Sequence, residues 1–208
     1  MSTPLEQYAL IGDCETAALV SSSGSIDWLC WPRFDSGACF AALLGGPEHG
    51  RWLIAPVDAP TRTTRRYREH TLILETCMET SEGAVTIIDF MPPRGQNSDV
   101  VRLVRGDRGR VGMRTELILR FDYGHTVPWV NTLPDGTFRA IAGPDVVVLH
   151  TPIRLQGKDL TTVAEFDVAA GRTIPFVLTH GYSHLKLPRP IVPKRSLAST
   201  EKFWTEWA

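Results

Sequence analysis

The chain has 208 residues, a 43% hydrophobic share and a formal net charge of −1, enough for one large domain or two small ones with a real core. That balance, with no long basic run, disfavours bulk attraction to nucleic acid or to an anionic membrane surface. No apolar run approaches the ~20 residues of a membrane span, and the first seven residues lack the basic-then-apolar pattern of a secretory signal.

In chain order, the first strong element is residues 26–31, which reads as a strand. Pro32 ends it, because proline removes a backbone donor and holds Trp31 extended. A rigid loop carrying Arg33, Phe34 and Asp35 follows. Trp28, Trp31 and Phe34 are costly to leave in water, at about 1.5–3 kcal/mol each, so this stretch needs a core, an interface or a sugar. Residues 38–44 read as one or two helical turns ended by Gly45-Gly46. Arg62, Arg65, Arg66 and Arg68, mixed with threonines and Tyr67, read as a solvated connection entering a strand.

Beyond them lie β-rich segments at residues 71–80, 84–90, 100–104, 112–121, 146–150, 160–168 and 173–179. Turn signals such as Ser81-Glu82-Gly83, Pro134-Asp135-Gly136 and Ala169-Ala170-Gly171 separate them. Met113, Thr115, Leu117, Leu119 and Phe121 alternate with Arg114, Glu116, Ile118 and Arg120, the pattern of half-buried antiparallel strands. About a dozen such strands predict an all-β antiparallel sandwich. The alternation continues to Tyr123, which puts Phe121 and Tyr123 on one face and Arg120 and Asp122 on the other, in a surface or cross-strand ion pair.

The last residues change character. Residues 185–193 hold Pro188, Pro190 and Pro193 and read as an extended linker. A helix then starts with Ser199 or Thr200 as its cap, placing Phe203, Trp204 and Trp207 on one face. The expected division is a β-sandwich domain over 1–184 and a linker with the start of a helix over 185–208. An aromatic helix there wants a partner, so the chain is expected to be the front of a longer protein.

Cys14, Cys30, Cys39 and Cys77 form no Cys-x-x-Cys pair, and read as buried free thiols in a cytoplasmic setting. His180 and His184 have a helical metal spacing, but Gly181 and the prolines that follow argue against a helix, so no metal is expected. No phosphate loop or Gly-x-Ser-x-Gly elbow points to a cofactor or a serine nucleophile. Glycosidic chemistry needs two carboxyl groups about 5–9.5 Å apart. Asp27 and Asp35 are the local candidates, yet Arg33 would hold a neighbouring aspartate ionised. The residues read as Asp35 orienting Arg33 and Asp27 bracing the hairpin, with His125 and Trp129 as a second contact patch.

Several blocks together resemble the opening of bacterial family-15 glycoside hydrolases of the glucoamylase and trehalase type. They are Tyr8-Ala9-Leu10-Ile11-Gly12-Asp13-Cys14, Gly24-Ser25-Ile26-Asp27-Trp28-Leu29-Cys30-Trp31-Pro32-Arg33-Phe34-Asp35-Ser36, Glu48-His49-Gly50-Arg51-Trp52, Asp89-Phe90-Met91-Pro92 and Arg120-Phe121-Asp122-Tyr123-Gly124 with Pro128-Trp129-Val130. The blocks keep the family's order from Tyr8 to Trp207, and Gly37 departs from the proline expected there. The resemblance implies an N-terminal β-supersandwich that precedes an (α/α) toroid carrying two catalytic glutamates. No residue of this chain matches those glutamates. Phe203-Trp204-x-x-Trp207 looks like the start of the connection into the toroid.

The implied partners are that toroid and, through it, trehalose or an α-glucan. Trp31, Arg33, Phe34, Asp35, Asp27, His125, Trp129, Trp204 and Trp207 are then candidates for the pocket rim or the domain interface. The isolated chain is expected to expose an apolar patch and self-associate. A stand-alone carbohydrate-binding module is the rival reading.

Overall fold

The computed structural model describes residues 3–208. In chain order its strands are β1 (Tyr8–Gly12), β2 (Ala17–Ser21), β3 (Ser25–Cys30), β4 (Ala38–Phe40), β5 (Arg51–Pro56), β6 (Arg62–Tyr67), β7 (Leu74–Glu79) and β8 (Gly83–Phe90). There follow β9 (Ser98–Ile118), β10 (Trp129–Thr132), β11 (Phe138–Ala142), β12 (Asp145–His150), β13 (Gln156–Lys158), β14 (Thr161–Ala169) and β15 (Thr173–Tyr182), then helix α1 (Pro193–Trp207). Every strand pair is antiparallel, and the architecture is all-β and sandwich-like, as the alternation predicts.

Two layers share one strand. The first runs β1-β2-β3-β5-β9-β14-β13, with β4 on β3; the second runs β6-β7-β8-β9-β15-β12-β11-β10. Residues 98–105 of β9 pair with β15 in the second layer, and residues 110–117 pair with β14 in the first. The sequence suggests two strands here because Asp107 to Arg110 is exposed and charged; those residues are the bend of one strand. Gly109 has φ +64, and a side chain on it would run into the carbonyl of Glu82, while one on Gly106 would meet that of Ala169. Glycine lets the backbones close at this corner.

The main core lies between the layers and includes Ile26, Phe40, Trp52, Ile54 and Phe176, all fully buried. At about 1.5–3 kcal/mol per large apolar side chain, this cluster is the chief source of stability. A charge is sealed inside it. Arg102 and Asp89 face each other across β9 and β8 with no solvent exposure, and Arg102 Nε donates to Asp89 Oδ1 at 2.8 Å. Its Nη1 and Nη2 donate to the carbonyls of Trp52 and Gly24, both at 2.7 Å. One guanidinium thus ties the second layer to the first.

A smaller cluster (Ile73, Ile88, Phe90, Val101, Leu103 and Val177) lines the second layer, and Ile191 and Leu197 pack against it. Helix α1 is held there by buried Thr200 and Trp204 and by an Arg68–Glu201 ion pair of 2.8 Å. It begins at Pro193 rather than at Ser199 or Thr200. Proline is pre-set for the first helical position, and Thr200 lies mid-helix. The aromatic face splits: Trp204 is 8% exposed and Trp207 75%.

Three other expectations are corrected. Residues 38–44 hold strand β4 and only a three-residue 3-10 turn, Ala42–Leu44. Helix-favouring alanine and leucine yield there to pairing with β3. The arginine cluster is not a connection but the edge strand β6, where Arg66 pairs with Glu75 and Tyr67 bonds to Leu10 of β1. Charge on an edge strand discourages stray pairing, and it also makes the strand resemble a loop. Cys30 and Cys39 are buried free thiols, but Cys14 is exposed and Cys77 half-buried.

Candidate functional site

The turn after β3 is clamped from below. Trp31 is only 4% exposed. Its indole N–H donates to Ser98 Oγ at 2.9 Å, which donates to Asp13 Oδ2 at 2.7 Å. Arg94 Nε donates to the same carboxylate at 2.8 Å, and Arg94 Nη2 donates to the Pro32 carbonyl. Asp13 also accepts from the backbone N–H groups of Glu15 and Thr16. The Phe34 N–H donates to the Glu15 carbonyl at 3.1 Å. So Trp31 is an anchor with no ring face free for a sugar, while Arg33, Phe34 and Asp35 project outward. Phe34 is 64% exposed, and Arg33 Nε donates to Asp35 Oδ1 at 3.0 Å.

Asp27 lies at the base of β3, buried, accepting from Tyr8 Oη at 2.7 Å and from Ser25 Oγ. Burial, and then Asp27, pushes the Tyr8 hydroxyl up to about 12. Asp27 and Asp35 are therefore engaged by separate partners.

A second loop leans on the first. Strand β9 ends at Ile118, and Asp122 and Tyr123 turn the chain with φ +52 and +57. Alternation therefore stops short of Tyr123, and Arg120 makes no ion pair with Asp122. The Tyr123 N–H donates to the Ala38 carbonyl at 3.2 Å, and its hydroxyl reaches the Ser36 carbonyl at 3.4 Å. The Tyr123 ring lies 6.0 Å from that of Trp28. His125 is exposed in this loop, and Trp129, 77% exposed, opens β10. The structure thus sets Asp122 and Tyr123 against the Ser36–Ala38 end of the first turn, with His125 and Trp129 further along the second loop. Trp204 and Trp207 sit instead on α1.

The far edges of the two layers leave a groove of about 340 Å³ lined by Leu117, Leu119, Arg120, Trp129, Phe138 and Leu160, among others. Sequence reasoning missed Arg120 and Leu160 as members. Leu160 is 73% exposed at φ +58 in the two-residue Asp159-Leu160 turn between β13 and β14; a leucine beside the turn formers Gly157 and Asp159 was the available signal.

His180 is buried, with Nε2 2.8 Å from Asp145 Oδ1 and its ring 5.8 Å from Trp31. Burial pushes His180 down and pushes the Asp99 carboxyl up, against the Thr179 hydroxyl that bonds to Asp99. His184 is exposed, and no cluster of metal-ligating side chains occurs among the described residues.

The family model described as trehalase-like, N-terminal, matches residues 1–204. A trehalase of Mycolicibacterium smegmatis is 41% identical over 89 residues, 42% of this chain and 13% of the relative. Trehalase 2 of Sulfolobus acidocaldarius is 27% identical over 184 residues, 88% of this chain and 29% of the relative. A trehalase of Thermoplasma volcanium is 24% identical over 211 residues, 98% of this chain and 34% of the relative. The chain therefore spans 13% to 34% of the length of these relatives.

Proposed function

The chain belongs to the trehalase-like N-terminal family, and from that premise we propose that it is the non-catalytic β domain of a glycoside hydrolase that cleaves trehalose or a related α-glucoside. In this reading residues 1–184 form the supporting body and residues 185–208 lead to an (α/α) toroid of the family-15, glucoamylase and trehalase type. The toroid supplies the catalytic acid and base.

One observation carries the reading. Phe34 and Tyr123 are exposed on two loops that meet at the Tyr123–Ser36 hydrogen bond, the first loop held by a buried polar network, and exposed Val127 and Trp129 follow on the second loop. Large apolar side chains left exposed on neighbouring loops suit a contact surface, and the clamp keeps the first loop in shape. In this reading Arg33, which projects from the same turn, donates to substrate hydroxyls at a pocket rim. The four free thiols suit a reducing cytoplasm. Among the described residues no helix is long and apolar enough to cross a membrane.

The test uses the complete gene product that contains these residues. Arg33→Ala should lower kcat/KM for trehalose at least fivefold, with the melting temperature unchanged. Phe34→Ala should lower the melting temperature of the complete protein but not of the 208-residue chain. If neither variant changes either quantity, the reading fails. The strong exposure of Trp129 beside the groove favours a second reading, a carbohydrate-binding module. Saturable quenching of tryptophan fluorescence in the 208-residue chain by millimolar trehalose or maltooligosaccharide would favour it.

A further inference from the structure

The groove between β10 and the β13–β14 edge contains a cation with no answering charge. Arg33, Arg51, Arg66, Arg68, Arg94, Arg102 and Arg105 each face a carboxylate. Arg120 does not. Its Nη1 donates to the carbonyls of Leu119 at 2.7 Å and Leu160 at 3.3 Å. Its Nε and Nη2 have no acceptor among the described residues. The residue is half-buried, and that burial pulls its pKa below the ordinary guanidinium value; it remains charged in any case.

The surroundings narrow what can answer it. Leu117, Leu119 and Phe138 form the floor, and Trp129, Val127 and Leu160 stand exposed along the walls. Lys158 and Asp159 on the lip offset each other, leaving the groove net positive through Arg120. A neutral sugar could meet Lys158, Asp159, Thr161 and Thr162 at the rim but would leave the charge of Arg120 unmatched. A protein segment with one carboxylate between apolar side chains matches both the charge and the apolar walls. A carboxylate can take two parallel N–H bonds from a guanidinium, the strongest geometry for such a pair. The relatives carry ample further chain, since the aligned part is 13% to 34% of their length.

We propose that this groove docks an acidic, otherwise apolar segment of the helical catalytic part of the same polypeptide, whose Asp or Glu carboxylate accepts from Arg120 Nε and Nη2 while apolar neighbours cover Trp129 and Leu160. The proposal rests on the reading that such a part exists and sits at this end of the sandwich. Arg120 is then an interface anchor rather than a catalytic residue.

The test is photo-crosslinking in the complete gene product with benzoylphenylalanine at position 160, together with amide exchange over residues 120–130. The expected adduct is intramolecular, on a segment outside these 208 residues and within a helical turn of an Asp or Glu. Arg120→Gln should speed exchange of residues 120–130 by roughly 10- to 100-fold, the strength of a charge-assisted hydrogen bond. A charge swap, Arg120→Glu with the partner acid changed to Arg, should restore protection. Far-UV circular dichroism of the Arg120→Gln 208-residue chain should match the parent, separating loss of docking from loss of fold.

No adduct, or an adduct on a segment without an acid, overturns the anchor; protection of residues 120–130 alongside it leaves the rim reading standing. Exchange of residues 120–130 as fast in the complete protein as in the 208-residue chain overturns both. An adduct only to a second copy makes the groove a self-association surface and overturns the proposal. So does protection of the groove in the 208-residue chain by 10 mM trehalose, which would make it a saccharide site.

Discussion

Removing one partner of the Arg102–Asp89 pair should cost this protein much more than removing both. Neither side chain has any solvent exposure. In Asp89→Ala the guanidinium keeps its bonds to the Trp52 and Gly24 carbonyls but loses its counter-charge. A lone buried charge costs about 3–5 kcal/mol. For a chain of this size, each kcal/mol moves the melting temperature by roughly 2–4 °C, so a fall of about 6–20 °C is expected. Arg102→Met leaves a lone carboxylate and two carbonyls without their side-chain donor, and should cost at least as much. In Asp89→Leu/Arg102→Met no buried charge remains. The residual cost is that of the two carbonyls, about 1–3 kcal/mol each at most, offset in part by the relief of desolvation. Urea unfolding followed by tryptophan fluorescence and by far-UV circular dichroism gives all three values on one scale. A double variant as unstable as the sum of the singles would refute the reasoning, as would singles that lose less than about 1 kcal/mol.

The corner of β9 offers a backbone test: Gly109→Ala puts a side chain at φ +64 against the Glu82 carbonyl and should lose at least ~1–3 kcal/mol in urea unfolding. A neutral result would show that the corner has slack. Burial holds His150 and His180 below the ordinary value of 6.5. The unfolded chain therefore takes up these protons first as pH falls. Their stabilising contribution is complete above about pH 6.5 and is lost from there down to the folded-state values. Melting temperature should drop between pH 7.5 and 5.5, and less so in His150→Gln/His180→Gln; an equal drop in that variant would assign the slope to other groups. Arg33→Ala in the 208-residue chain should change stability by no more than ~0.5 kcal/mol, because both members of its ion pair are exposed. A larger loss by differential scanning calorimetry would mean that the turn depends on that pair. Light scattering of the same chain should detect self-association that Trp129→Ala and Leu160→Ser weaken; a strictly monomeric parent would count against an apolar contact end.

The class of the fold and the position of the best-patterned strands were legible in the residues alone. Alternation at Met113, Thr115 and Leu117 marks the second half of β9, and the apolar runs at β8 and β12 end within a residue of where they read. These signals are local, since period-two burial is printed in consecutive residues. The motif blocks likewise carried the family. Which segments share a face or a hydrogen bond became visible only in the folded chain. Trp31 is an anchor because Ser98, 67 residues away, accepts its indole N–H. The charged run at β6 is a strand because Glu75 and Leu10 lie beside it. The candidate contact end exists because a bend in β9 brings Arg120 and Leu160 to the edge that Trp129 opens. A periodic pattern states which way a side chain points, but the partner it meets is set by chain closure over long separations, which no neighbouring residue records.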